Sequence, residues 1–133
     1  MASFASDPVG TYTRYIDACN DREFDQLGSF IAADVEGVRS GLDGYRDGLA
    51  DIVAAFPDFH WRVEQVIVDG STIAARLTDT GTHRRSFAGI APVGHVVRVQ
   101  ELAIYRIDGE GKIAQCWGDL EAVLRSALQP NEQ

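Results

Sequence analysis

Hydrophobic positions recur along the chain with two different periods, and the change from one to the other falls near Pro57. Tyr12, Tyr15, Ile16 and Cys19 lie three and four apart, which puts them on one stripe of a first helix. Asn20-Asp21 follows as a break and as the N-cap of a shorter second helix, with Phe24, Leu27 and Ile31 on one face. Residues 34–39 suit a short strand. Gly41-Leu42-Asp43-Gly44 reads as a turn into a third helix whose stripe is Tyr45, Leu49, Ile52, Val53 and Phe56. Pro57 ends that helix, because proline has no N–H for the helical ladder and restricts the residue before it.

Beyond Pro57 the period is two. Phe59, Trp61, Val63, Gln65 and Ile67 alternate with His60, Arg62, Glu64, Val66 and Val68, and Asp69-Gly70-Ser71 is a hairpin turn. The returning strand places Ile73, Ala75, Leu77, Asp79 and His83 on one face and Arg76, Thr78, Thr80 and Thr82 on the other. Phe87 to Gly94 is a Gly/Pro-containing loop. A third long strand covers about 96–107, Asp108-Gly109-Glu110-Gly111 turns it back, and a fourth runs over about 112–120. A short amphipathic tail with Val123, Leu124 and Leu128 closes the chain before Pro130. Three helices followed by a meander predict an α+β fold. Strands this long twist and coil. The expectation is a cone-shaped, curved antiparallel or mixed sheet wrapped around three N-terminal helices, an α+β barrel whose mouth is the natural ligand site.

Composition narrows the classes without naming one. The 133 residues are 45% hydrophobic, enough for one domain spanning 1–133 with a core that needs no disulfide or metal. A net charge of -8 disfavours nucleic acid and anionic membrane as partners. Residues 1–7 carry no basic region or apolar stretch of signal length, and no segment approaches the ~20 apolar residues of a membrane span. Cys19 and Cys116 lie far apart in no metal-type spacing. They read as reduced thiols, and the expected location is cytoplasmic.

Candidate chemistry concentrates in the second half. The last strand ends Trp117-Gly118-Asp119-Leu120-Glu121, carrying an aromatic and two carboxylates toward the mouth of the cone. Asp79 is an acid in an apolar register, following Ala75 and Leu77. A carboxyl in an apolar bowl is held closer to neutral pH by poor hydration and so becomes a better acid/base. His83 could donate to a substrate carbonyl or could simply end its strand. Tyr15, Phe56, Trp61, Phe87 and Trp117 could line a pocket for a flat ligand, or could be core. His60, His83 and His95 make no metal-ligand pattern with the acids, so no metal and no cofactor are expected. Phosphate-loop, dinucleotide and nucleophile-elbow motifs are missing.

Several stretches together resemble the SnoaL-like polyketide cyclases of the nuclear transport factor 2-like superfamily. They are Arg14-Tyr15-Ile16, Gly41 to Tyr45, Ala55-Phe56-Pro57-Asp58, Thr80-Gly81-Thr82-His83, Phe87 to Pro92 and Lys112 to Trp117. The resemblance covers nearly the whole chain. It implies cofactor-free intramolecular aldol closure of a polyketide, as in antibiotic pathways of the anthracycline type, with an aspartate on the final strand as acid/base. Asp119 is the match to that aspartate. Many relatives place the acid four residues after the tryptophan, where Glu121 stands. Two positions apart on a strand share a face. Relatives often have a polar residue near Ala103, which supplies none, and Asp79 on the neighbouring strand is the candidate to compensate.

The expected function is therefore acid/base catalysis on a polyketide or similar apolar carbonyl compound. Cofactor-independent hydroxylation and epoxide hydrolysis are alternatives on the same scaffold. A non-catalytic module for small-ligand binding or dimerisation is the third. Such sheets usually pair through their open face, so a homodimer is expected, with Arg76, Thr78, Thr80, Arg98 and Gln100 on the outward side.

Overall fold

The computed structural model describes residues 7–129; the segment before Asp7, read above for a signal, and Pro130 lie outside them. Helix α1 (Pro8–Asn20) starts where Asp7 accepts the Gly10 N–H at 3.0 Å and Pro8 sits in the first turn, a position that needs no N–H. Its buried residues are Tyr12, Tyr15, Ile16, Ala18 and Cys19, the predicted stripe plus one alanine. A 3-10 helix (Phe24–Ser29) replaces the expected second α-helix. Ile31 already belongs to strand β1 (Ile31–Glu36), three residues ahead of the predicted strand. Gly28 and Ser29 are poor helix residues, and so short an element has little cooperative reason to continue. Helix α2 (Gly41–Ala55) ends as Pro57 requires. Strands β2 (His60–Asp69), β3 (Thr72–Thr82), β4 (Val96–Ile107) and β5 (Ile113–Gly118) follow, then α3 (Leu120–Leu128).

The five strands form one mixed sheet in the order β1-β5-β4-β3-β2, antiparallel except where β1 runs parallel to β5. The helices pack on its inner face, as expected of this α+β fold. Along β3 and β4 burial alternates, with Ile73, Ala75, Leu77 and Asp79 inward beside Val97, Glu101, Ala103, Tyr105 and Ile107. On β2 the predicted alternation holds only as far as Val63. A bulge between Val63 and Gln65 inserts one residue, so Val66 packs on the core while Ile67 is 56% exposed on the outer face. A one-residue slip exchanges the faces, and nothing in a run of Val and Ile announces it.

Two polar devices tie the end of α1 to the start of β2 and the turn before it. Asn20 accepts the Trp61 N–H at 2.9 Å and donates to the Trp61 carbonyl at 2.8 Å, so its amide pairs with the β2 edge as a strand would. Arg22, at φ +62°, donates to the carbonyls of Cys19, Asn20, Pro57 and Phe59 at 2.7–3.3 Å and lies 5.9 Å from the centre of the Trp61 ring. One guanidinium thus ties the end of α1 to the turn that follows α2. Arg22→Ala is expected to cost about 2 kcal/mol, because it strands several carbonyls at once. Arg22→Lys should recover only part of it, since an ammonium lacks the planar fork. Urea unfolding midpoints of the two variants check this.

Within α2 two glycines bear on the cavity described next. An interior helical glycine costs about 1 kcal/mol relative to alanine. At Gly44 a Cβ would stand 2.9 Å from the Arg39 Cβ; at Gly48 it would meet nothing within 4 Å.

Candidate active site

Between the inner face of the sheet, α2 and α3 lies a cavity of about 1150 Å³. One wall is α2, through Gly44, Tyr45, Gly48, Leu49 and Ile52. The opposite rim is α3, through Leu120, Glu121 and Arg125. The floor is Glu101, Tyr105 and Cys116, with Tyr15, Trp61 and Phe87 completing an aromatic lining. Phe87 is held by a tight turn in which it exchanges backbone hydrogen bonds with Ile90 at 2.8 and 3.0 Å. The central residues Ala88 and Gly89 both have positive φ, as a two-residue turn of this hand requires.

Glu101 is the ionisable group at the floor. The strand register pairs it with Leu77 and pairs Asp79 with Val99, so the two acids are diagonal neighbours on the inner face. Glu101 is 7% exposed and Asp79 fully buried. Taken as two carboxylates, they leave both oxygens of Asp79 and Oε1 of Glu101 without a donor. One shared proton supplies what is missing. Burial raises Asp79 above the ordinary carboxylate range, and its hydrogen bond to Glu101 and the charges of Glu101 and Asp119 push it the same way. Burial also raises Glu101, while the hydrogen bond from Asp79 pulls it back and the Asp119 charge adds to the rise. Two like charges this close in an apolar site do not both ionise readily. Both carboxyls are raised, so the pair keeps a proton near neutral pH that Asp79 and Glu101 can share.

The surrounding groups are donors, not nucleophiles. Burial holds the hydroxyls of Tyr15, Tyr45 and Tyr105 well above their ordinary range, so they stay protonated. Tyr15 and Tyr45 share a hydrogen bond of 2.7 Å. The Cys116 thiol, pushed up to about 12 mainly by burial, has almost no thiolate at neutral pH. Among the described residues no group of three or more His, Cys, Asp or Glu is placed to hold a metal ion. No helix among them is long and apolar enough to cross a membrane.

The residues singled out in the sequence fall into different places. Tyr15, Trp61 and Phe87 line the cavity, as do Asp119 and Glu121. Asp119 is half-buried, and its Oδ1 accepts the Leu102 N–H at 2.9 Å. It occupies the N-cap position of α3 without making a side-chain cap. Glu121 is exposed at the rim, 3.9 Å from Arg125. Asp79 is enclosed behind the floor.

Three aromatic or polar positions lie elsewhere. Phe56 is fully buried, stacked 5.1 Å from the His83 ring and away from the cavity lining. His83 is fully buried too, accepting the Val93 N–H at Nδ1, so it belongs to the loop's framework. Trp117 corrects the expectation that the last strand points its aromatic inward. It pairs with Ile104 on the outer face and is 51% exposed, while Cys116, paired with Tyr105, takes the inner position. Parity decides this: one residue along β5 exchanges the faces.

Glu101 went unrecognised in the sequence. The signal was present, since Arg98 and Gln100 face outward and alternation then turns Glu101 inward. It lies on the same face as Ala103, one pleat earlier.

The family model for SnoaL-like polyketide cyclases matches residues 10–124. A SnoaL-like polyketide cyclase from Agrobacterium tumefaciens is 31% identical, with a TM-score of 0.79 over 91% of this chain and 98% of that one. A candidate SnoaL-like cyclase from Jannaschia sp. CCS1 superposes with a TM-score of 0.80 at 21% identity, covering 93% of each chain. AclR, a candidate hydroxylase from Streptomyces galilaeus, superposes at 0.76 with 19% identity, over 92% of this chain and 97% of that one. No curated protein matches.

Proposed function

The chain belongs to the SnoaL-like polyketide cyclase family, and from that premise we propose that it is a cofactor-free acid/base enzyme. Its substrate is a polyketide or similar apolar carbonyl compound, and its reaction is intramolecular aldol ring closure. The observation that carries the proposal is the carboxyl pair Glu101 and Asp79, buried at the floor of an aromatic-lined cavity with fewer donors than two carboxylates need.

The chemistry follows from where the charge lies. Glu101 removes a proton from a carbon flanked by two carbonyls. The carbanion attacks a second carbonyl of the same molecule, forming the ring bond and leaving an alkoxide. The neutral Glu101 carboxyl returns the proton to that oxygen, so the enzyme ends as it began. Taking up the proton removes a charge from an apolar site, which makes Glu101 a stronger base than one in water. Asp79 keeps its own proton throughout and orients Glu101. Asp119, at the rim and held by the Leu102 N–H, is the second carboxylate offered to the substrate and the rival for the base.

The test uses a naphthalene that carries a 1,3-diketone side chain and an adjacent acyl group: deuterium exchange into the activated methylene and ring closure onto the acyl carbonyl are followed in parallel for wild type, Glu101→Gln and Asp119→Asn. Exchange without oxygen uptake supports the proposal. Stoichiometric oxygen consumption would favour hydroxylation, the activity that AclR's description names. Binding without exchange would favour a non-catalytic module.

A second copy of the chain is the proposed occupant of the outer sheet face. Ile67, Leu102, Ile104 and Trp117 are exposed there together, around a groove of about 550 Å³. Sedimentation equilibrium is expected to give a dimer for the wild type and a monomer for Trp117→Glu, whose charge would be buried unpaired at the interface. A monomeric wild type at micromolar concentration removes the dimer.

A further inference from the structure

Gly48 lacks the structural reason that its neighbour has. At Gly44 a Cβ would collide with Arg39, but at Gly48 it would meet nothing within 4 Å. Its φ lies outside the left-handed region, so an L side chain would fit without strain. An alanine there would strengthen the helix. The only thing it would displace is space in the cavity, which residues 44, 45, 51 and 52 on the same helical face also line. A second, independent feature marks that space as a ligand's. Glu101, 7% exposed and half of a buried pair with fewer donors than two carboxylates need, lines the same cavity.

We infer that Gly48 is a specificity-determining residue. The bare backbone at this turn of α2 leaves room for the far ring of a fused-ring substrate whose reacting end lies at the cavity's carboxylates. Flat rings can lie against a helix surface that has no Cβ. Any branched side chain at 48 shortens the cavity from that side and leaves the floor untouched, so it selects by ring number and not by chemistry. The inference rests on the proposed use of this cavity as the substrate site. It does not depend on which carboxylate is the base.

Equilibrium binding of 2-naphthol, with two rings, and 1,4-dihydroxyanthraquinone, with three, to wild type, Gly48→Ala and Gly48→Leu tests it. Gly48→Leu is expected to weaken the three-ring probe by about tenfold or more, while the two-ring probe changes by less than about twofold. Gly48→Ala, whose single methyl takes little of the cavity, should raise the thermal midpoint. Equal weakening of both probes, no weakening of either, no binding of either to the wild type, or a lower midpoint for Gly48→Ala would each overturn the inference. Glu101→Gln is measured beside them. If it retains full exchange activity while the ring-number selectivity holds, the assignment of Glu101 as the base falls alone.

Discussion

Glu101→Gln is expected to lower deuterium exchange into the 1,3-diketone, and ring closure with it, by about 10²–10⁴-fold. The glutamine has the same shape and can still accept from Asp79, so the floor keeps its packing. It cannot take a proton from carbon. Because a buried ionisable group is replaced by a neutral one, unfolding at neutral pH should be unchanged or shifted to higher temperature, which separates lost chemistry from lost structure. Asp119→Asn preserves an oxygen for the Leu102 N–H and is expected to cost less. If Asp119→Asn abolishes exchange and Glu101→Gln leaves it within a few-fold of wild type, the base is Asp119. The pH profile gives a further check. Glu101 is raised chiefly by burial, so the acid limb of the wild-type profile should lie above the ordinary glutamate value of about 4.3.

Asp79→Asn is expected to stabilise the protein at pH 8 by about 2 kcal/mol and to leave it unchanged at pH 4. The sign follows from linkage. Asp79 is raised in the folded state, while the unfolded chain titrates near the ordinary value of about 3.9. Below that value both states hold the proton and the site contributes no pH dependence. As pH rises above it, the unfolded chain releases the proton and the native protein keeps it, so wild-type stability falls until the native group also ionises. Asparagine removes this loss. In a chain of this size the gain corresponds to a rise in thermal midpoint of about 5–8 °C. The amide still donates to Glu101, so activity should fall less than in Glu101→Gln, and the alkaline limb due to Asp79 ionisation should disappear. A midpoint that drops equally at pH 4 and pH 8 would mean the carboxyl is there for packing alone.

The opposite sign holds at the C-terminal tip of β3, three residues beyond Asp79. Asp58 accepts the Thr82 N–H at 2.7 Å and its hydroxyl at 2.8 Å, and these bonds lower its carboxyl. That contribution is present above the unfolded value and is lost as pH falls. A fold that places one acid at a strand end with two donors and another in the core with none is using the first for stability. The second is retained at a cost, as functional groups are.

Much of this was legible along the chain because local periodicity is a local property. The stripes of α1 and α2, the stop at Pro57, the β2–β3 turn and the alternation of β3 and β4 all follow from spacing and turn chemistry. Asp79 stood out for a similar reason, as an acid in an apolar register. Three things were not legible. The bulge at Val63–Gln65 depends on how β2 meets β3, and it reversed the faces of Val66 and Ile67. The inward or outward sense of β5 depends on its pairing with β4, which put Cys116 in the cavity and Trp117 outside. Whether His83 and Phe56 face ligand or core depends on the loop that covers them.

The sequence by itself determined α1, α2 and the long strands after Pro57, the α+β class, and the family, because each of these is written in short-range pattern and in motif. Tertiary structure alone decided which carboxylates meet. Asp79 and Glu101 are 22 positions apart in the chain and became partners only when β3 and β4 aligned in one register. Asp119, a neighbour of Trp117 in sequence, turned to the rim instead. Proton affinity in a site depends on distance and hydration, and the fold sets both.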